Sequence, residues 1–466
     1  MSNVSTRGAF ATRLGFVLAA AGSAVGLGNI WKFPYITGVY GGGAFVLVYL
    51  VCIAVVGLPL MYAELIIGRR GGKDILSSLL ALTADKGPMG TALSWVIGGM
   101  AVASGFLILS FYSVVAGWAI YYFGAYAGLV PLEGGGDMFN SLIEVGSSKS
   151  TPWHTFFMLL SVGVVAVGVQ KGIETACKIL MPVLAGILLI LLVYVAVTGG
   201  LGKSLTFLFA PDFSKLSGEA VLEALGHAFF TLSLGMGAMV TYGSYLKDEV
   251  AVVRDGLIVA ILDTVIALVA GMVIFAVVFS HGQEAAAGPG LVFVSLPALF
   301  ADMPGGTFFG LAFFALLVFA AWSSAISLLE VVVAFLVDKA GLPRKAAALG
   351  AGVAIWALGL LSARDIGWLD KFDQLTTNYM LPLGGLGIAI AAGWFLSKTD
   401  REAGFLAVGD VGEKLAAGWT VIIRFVTPVL VALVILGKMG VFASEEPAPP
   451  ADTEEAQPAD EPSDGG

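Results

Sequence analysis

Charge is the scarcest ingredient of this sequence. Asp, Glu, Lys and Arg together make up 12% of 466 residues, against 58% hydrophobic ones. A soluble domain carries about a quarter charged residues. A water-soluble globule is therefore excluded, and the chain reads as a polytopic membrane protein whose bulk is one bundle. The net charge of -9 does not alter this, because eight of the acids follow Ser444. Basic clusters are missing too, which removes nucleic acid as a partner. Cysteine is rare: Cys52 and Cys177 lie far apart, in or beside apolar segments, and read as packing residues rather than a disulfide or metal pair. The three histidines, His154, His227 and His281, share no metal-ligand spacing. No nucleophile elbow, phosphate-binding loop or HExxH string occurs, so neither an enzyme nor an ATP-driven pump has support. The first apolar stretch lacks a cleavage-site layout, which predicts a retained span and not a signal peptide.

What the sequence has instead is long apolar runs. Eleven are expected to cross a bilayer, at 12–37, 42–69, 89–126, 153–170, 175–198, 219–246, 254–281, 306–339, 344–361, 372–396 and 414–440. They are called spans 1 to 11 below. The fold class is thus an all-α polytopic membrane protein, with a transmembrane domain over 1–440. The remainder, 441–466, is acidic and Pro-rich without apolar anchors, and reads as a disordered tail. A cytoplasmic N-terminus puts about two thirds of the Lys and Arg on that side, as the positive-inside bias requires, and leaves the C-terminus outside. Residues 127–152 and 199–218 read as polar loops. The run LVFVSLPALF within 285–305 is too short to span and fits a re-entrant or surface hairpin able to cap a cavity.

Two spans are interrupted. Residues 22–34 read GSAVGLGNIWKFP, placing Gly22, Gly26, Gly28 and Asn29 in the middle of span 1. Three glycines beside an amide suggest a broken helix, whose free N–H groups suit an anion and whose free C=O groups suit a cation. The other reading is a Gly-rich packing face. Span 6 repeats the feature, with Thr231, Ser233, Gly235 and Gly237 inside an apolar run. Spans 1 and 6 are the first members of two five-helix halves. Paired interruptions at matching positions point to a transporter built from inverted repeats.

Buried charge marks further positions. Asp263 lies inside span 7, where a bare carboxylate costs about 2.5–3.5 kcal/mol and needs a cation, a proton or a hydrogen-bond network. Glu64 sits near the inner end of span 2 and suits a structural role, holding a broken helix; Glu330 in span 8 stays ambiguous. Ser323 and Ser324 in AAWSSAIS present hard oxygens fit for an alkali cation, although such serines also bond back to their own helix. His227, one turn before Thr231, reads either as a core histidine or as a proton site.

GSAVGLGNIWKFP, the following GGGAF and GLPLMYAE, and FFTLSLGMGA of span 6 resemble the neurotransmitter:sodium symporter family, its bacterial amino-acid members in particular. The resemblance extends to about residue 440. It implies a 5+5 inverted-repeat bundle with spans 1 and 6 broken, and symport of sodium with a neutral, hydrophobic amino acid by alternating access. Two transported sodium ions are implied, with no organic cofactor. The first would bind the Ala24 carbonyl, Asn29, Thr231, Asp263 and the substrate carboxylate. The second would bind the carbonyls of Gly22, Val25 and Ala320 and the hydroxyls of Ser323 and Ser324. The substrate carboxylate would meet the N–H groups of Leu27 and Gly28 and the hydroxyl of Tyr112. Its amino group would meet Ala24, Phe230, Thr231 and Ser233. Ile108, Phe230, Met236, Ser324 and Leu328 would line the side-chain pocket. Lys32 with Asp373 would gate the outside; Arg7 with Asp338, supported by Tyr245, would gate the inside. Gly172 and Pro182 match the family's site of span 5 unwinding.

Departures from the family pattern carry their own expectations. Asp263 stands where many members have Asn, Ala267 where chloride-dependent members have Ser, and His227 where a chloride-site Gln is usual. The carboxylate would supply the charge that chloride supplies elsewhere, so transport is expected to be chloride-independent. Eleven spans are expected where the family often has twelve. Eukaryotic loop cysteines and outer glycosylation acceptors are missing, which fits a bacterial or archaeal inner membrane. Two rival readings are a proton-coupled carrier of the same fold, running on Asp263 or His227, and a non-transporting amino-acid sensor.

Overall fold

Hydrocarbon offers the backbone no hydrogen bonds, so a chain this apolar must satisfy its N–H and C=O groups within helices. The computed structural model describes residues 8–246, 252–283, 288–405 and 412–441. Among them the only extended pairing is one isolated bridge, Gly42 to Pro211. Nine helices are long and apolar enough to cross a bilayer: Gly43–Gly71, Ala84–Tyr126, Ser150–Val167, Val169–Thr198, Val252–Ser280, Gly306–Ala340, Arg344–Arg364, Ile366–Phe395 and Gly412–Lys438. They correspond to spans 2 to 5 and 7 to 11. Span 1 is a tenth, made of Arg13–Ala24 and Gly28–Val39 with a bend of 48° between them. Span 6 consists of Gly218–Thr231 and Ala238–Gly243, neither long enough to cross alone. The expected total of eleven therefore depends on counting this broken pair as one crossing. The tail after residue 441 lies outside the described residues.

Two expected loops contain helices. Gly135–Ile143 lies within 127–152, and Leu201–Phe209 within 199–218. In the second, Leu201, Leu205 and Leu208 recur at helical spacing. Leu208 and Ser204 are buried, and the Ser204 hydroxyl donates to the Met272 carbonyl of span 7 at 2.9 Å. The polar composition of the stretch hid this short amphipathic helix. The run in 285–305 folds as a turn and the helix Ser295–Asp302. Phe293 packs its ring against Trp118 at 5.8 Å and Phe139 at 5.7 Å, and its carbonyl accepts from the Tyr122 hydroxyl at 2.5 Å.

Spans 3 and 8, whose helices Gly87–Tyr126 and Gly306–Ala340 hold 40 and 35 residues, are the longest and lie against each other through the centre. They are the third members of the two halves, as spans 1 and 6 are the first. Several spans carry a π-helical turn, which widens the ladder by one residue and loosens it locally. In span 5 that turn is Val169–Glu174, containing Gly172, and Pro182 lies in the helix Thr175–Thr198 that follows.

Ion pairs tie the end of the bundle that holds residue 8. Arg13 of span 1 forks onto Asp255 of span 7. Glu174 of span 5 accepts from the Ala11 N–H at 2.7 Å, the Thr12 hydroxyl at 2.9 Å and Lys178 at 2.6 Å. Glu330, fully buried, accepts from the Tyr245 hydroxyl and from both terminal nitrogens of Arg344, at 3.1 and 2.5 Å. The Nε of Arg344 donates to the Val165 carbonyl of span 4 at 2.9 Å. This network resolves the ambiguity of Glu330 as a fastening of spans 4, 6, 8 and 9. Removing one partner of a buried pair costs about 3–5 kcal/mol, whereas replacing both by apolar residues costs much less. Arg344→Met is expected to lower the thermal stability of the detergent-solubilised protein by about that amount. Adding Glu330→Leu is expected to restore most of it; a single variant as stable as the parent would contradict the network.

Candidate functional site

Span 1 breaks where its glycines predict. The helix ends at Ala24, Val25 turns extended, and the chain resumes as the π turn Gly28–Lys32. Two side chains satisfy the N–H groups freed there. The Gly26 N–H donates to Asn29 Oδ1 at 2.9 Å, and the Leu27 N–H to the Tyr112 hydroxyl at 3.1 Å. Span 6 breaks over 232–237, with Ser233, Gly235 and Gly237 at φ 54°, 80° and 77°. That is the left-handed region, which Gly occupies without strain and Ser does not. A side chain at Gly235 would overlap the Leu381 carbonyl. Glu64 Oε1 accepts from the Gly235 N–H at 2.7 Å. It thus holds the broken span, the structural role expected of it.

Asp263 lies beside both breaks and is fully buried. It accepts from Asn29 Nδ2 at 2.7 Å and from the Thr231 hydroxyl at 3.0 and 3.1 Å. Three of the four chain residues expected at the first sodium site therefore touch. Ala24 lines the small cavity alongside. The residues expected at the second sodium site also converge. The Ser324 hydroxyl lies 3.2 Å from the Gly22 carbonyl and 3.1 Å from that of Val25, and the Ser323 hydroxyl donates to the Ala320 carbonyl at 3.0 Å. Among the described residues, no cluster of His, Cys, Asp or Glu could hold a transition metal. The donor set is hard oxygen throughout, which suits an alkali ion.

A cavity of about 20 Å³ lies between the breaks. Ala24, Gly28, Ile108, Tyr112, Phe230, Thr231, Ser233, Met236, Ser324 and Leu328 line it, so ten of the eleven expected substrate residues share one space. Leu27, the other, lines an adjoining cavity of about 270 Å³ whose wall includes Lys32, Trp118, Gly290, Asp370 and Asp373. Tyr112 and Phe230 border both. Gly290 brings the start of the segment 288–302 to the wall of the larger space. Lys32 and Asp373 stand 3.8 Å apart, with Lys32 also 5.3 Å from the centre of the Phe230 ring. Of the expected inner gate, Arg7 lies outside the described residues. Asp338 accepts from the Asp74 N–H at 2.6 Å, and Tyr245 engages Glu330. His227 packs against Phe33, 5.9 Å away, and Tyr49, 5.4 Å away, and neither ring nitrogen has a hydrogen-bond partner within the described residues.

Sequence reasoning missed several residues of this region. Ser23 and Gly26 line the small cavity, and the Ser23 carbonyl accepts from Ser233 at 2.8 Å and from Ser324 at 3.1 Å. Both sit inside the singled-out string, where their position in the break was signal enough. Glu174 and Asp255 carry no comparable sign, since each is defined by a partner far along the chain.

A model of the sodium:neurotransmitter symporter family matches residues 7–141 and 136–447. An uncharacterised sodium-dependent transporter of Bacillus subtilis, YhdH, is 35% identical over 93% of this chain and 98% of its own. A second, from Haemophilus influenzae, is 31% identical over 94% of this chain and 99% of its own. Among solved structures, that of MhsT in complex with L-phenylalanine superposes with a TM-score of 0.82 at 42% identity, covering 93% of this chain and all of that one.

A methyl group at Gly26 would stand 2.5 Å from the Ser324 hydroxyl oxygen and 2.8 Å from that of Tyr112. Gly26→Ala is therefore expected to abolish sodium-dependent binding of labelled neutral amino acids. The melting temperature of the ligand-free protein should change little. Undiminished binding would show that the ligand lies elsewhere.

Proposed function

The chain belongs to the sodium:neurotransmitter symporter family, and from that premise we propose that it couples sodium entry to the uptake of a neutral, hydrophobic amino acid. It is a sodium-dependent membrane transporter and not an enzyme. The observation that carries the finer reading is the juxtaposition of Asp263, Asn29 and Thr231 with the small cavity. A sodium ion held by these oxygens at Ala24, Asn29, Thr231 and Asp263 would share the substrate carboxylate as a ligand. Each solute then favours the binding of the other, which is coupling in its simplest form. A second sodium at Gly22, Val25, Ala320, Ser323 and Ser324 would clamp span 1 to span 8.

The cavity lining argues for the substrate class. Ile108, Phe230, Met236 and Leu328 offer apolar surface, and Met adapts to irregular shapes. Among the described residues, no charged side chain lines the small cavity. The solved structure of MhsT holds L-phenylalanine, a ligand of the same chemistry. Lys32 with Asp373 serves as the outer gate and Arg7 with Asp338 as the inner one. Gly172 and Pro182 weaken span 5 so that sodium leaves inward. The charge distribution along the chain supports a cytoplasmic N-terminus, an outer C-terminus and a bacterial or archaeal inner membrane.

Asp263 brings a fixed negative charge to the first sodium site, so chloride has no part to play. Uptake into proteoliposomes is expected to follow an inward sodium gradient and to be the same in chloride and in gluconate. A strict chloride requirement would refute that part. Accumulation driven by protons alone would instead favour a proton-coupled carrier, and binding without accumulation under any gradient a sensor. Asp263→Asn removes one charge from the ion's shell. A hydrogen bond or ion contact to a charged group is worth about 1.5–3 kcal/mol, so the sodium half-saturation point should rise by about tenfold to a hundredfold.

A further inference from the structure

Span 11 carries an arginine where hydrocarbon is expected. Arg424 is the twelfth residue after Gly412 in the helix Gly412–Lys438, about 18 Å along its axis at 1.5 Å per residue. Its neighbours Val421, Phe425 and Val429 are exposed apolar side chains of the kind that face lipid. The Arg424 Nε donates to the Gly393 carbonyl at 2.5 Å, in the π turn Ala391–Phe395 that ends span 10. Arg401, on the following helix Lys398–Phe405, donates to the Leu396 carbonyl at 2.6 Å. Two guanidiniums thus grip the same helix end, where carbonyls satisfy one N–H each and neutralise neither charge.

Among the described residues, two of the three nearby acids are spoken for, and the third, Glu413, has no ion pair. Asp400 pairs with Arg70 at 2.8 Å, and Glu402 with Lys398 at 3.5 Å. Among the described residues neither Arg401 nor Arg424 has an ion pair. Burial and the charge of Arg424 push the Arg401 guanidinium down from its ordinary range, and Glu402 and Asp400 do not make up the difference. Beside Arg401 opens a cavity of about 240 Å³, bordered by Lys398, Glu402, Glu413 and Thr420, and Thr420 lies one turn before Arg424. Next to it, Trp394 and Phe425 meet edge to face at 6.3 Å and remain largely exposed.

We propose that Arg401 and Arg424 hold the phosphate of an anionic phospholipid, whose acyl chain lies over Trp394 and Phe425. Arginine forks onto phosphate oxygens through paired N–H groups and is less hydrated than lysine, which suits a site that runs from the end of span 10 in among apolar side chains. Basic pockets between spans at the cytoplasmic side are the usual form of such headgroup sites. The acids at the mouth, Glu402 and Glu413, disfavour a free phosphate dianion more than a singly charged phosphodiester. Assignment to the cytoplasmic leaflet rests on the orientation proposed above; the lipid contact itself does not depend on transport.

The test is native mass spectrometry of the full-length protein in mild detergent, titrated with phosphatidylglycerol, phosphatidylcholine or inorganic phosphate. The wild type is expected to retain phosphatidylglycerol at least fivefold over phosphatidylcholine. Arg401→Gln with Arg424→Gln should reduce retention to the phosphatidylcholine level, and Arg424→Lys should keep part of the preference. Should the double variant fail to fold, Arg401→Gln alone is expected to lose at least half of the retained lipid. No preference in the wild type, full retention by the variants, or displacement of the lipid by millimolar inorganic phosphate would each overturn the proposal. Lipid retention is read without a sodium gradient, so its failure is distinct from failure of sodium-driven uptake.

Discussion

Everything central to this protein follows from one constraint: a helix broken inside a bilayer must find partners for its freed backbone groups. Each such group left bare costs several kcal/mol in hydrocarbon. Here the partners are side chains from other spans. Tyr112 of span 3 takes the Leu27 N–H, and Glu64 of span 2 takes the Gly235 N–H. The hydroxyls of Ser233 and Ser324 address the carbonyls of Ser23 and Val25. The breaks are stable because distant parts of the fold complete them. Of the residues so joined, Ser23, Tyr112, Ser233 and Ser324 border the small cavity.

Around this centre the rest of the bundle is arranged as fixed framing and fastened ends. Spans 3 and 8 contribute walls rather than breaks. The end that holds residue 8 is laced by carboxylates that take donors from other elements: Asp255 from Arg13, Glu174 from the N-terminal segment as well as its own helix, Glu330 from Tyr245 and Arg344. Such pairs add little net stability when intact, because desolvation offsets attraction, but they penalise every arrangement in which one partner is stranded. They select a conformation more than they strengthen it.

Much of this was legible in the chain itself, and the limits are physical. Long apolar runs mark spans, and clustered Gly with Asn or Ser marks a break, because few other sequences tolerate one. A lone acid such as Glu64 in apolar surroundings announces a need for donors. The short helices Gly135–Ile143 and Leu201–Phe209 were not legible, since they are polar enough to pass for loops. Glu174 and Asp255 were not legible either, because partners 163 and 242 residues away leave no local pattern. That residues 24, 108, 230 and 328 share one cavity could be named only through the family resemblance; spacing alone does not bring four spans together. Arg424 stands inside span 11 and drew no notice in the sequence, its meaning appearing only with Arg401 beside it.

Glycine contacts between spans distribute rigidity unevenly. At Gly68 a methyl group would run into the Val240 carbonyl, and at Gly243 it would press on the Leu65 carbonyl 2.7 Å away. Span 2 and the second half of span 6 are thereby seated backbone to backbone, with no side chain between them to swing aside. The join of span 1 to span 8 is of another kind. It is made of Ser323 and Ser324 facing carbonyls, with the Ser23 and Ser327 hydroxyls in contact at 2.7 Å. Hydroxyls can exchange a carbonyl for an ion or a water at small cost, whereas closely seated backbones cannot trade contacts at all. The molecule thus carries its own perforation line: one seam is welded, and the other is held by replaceable stitches.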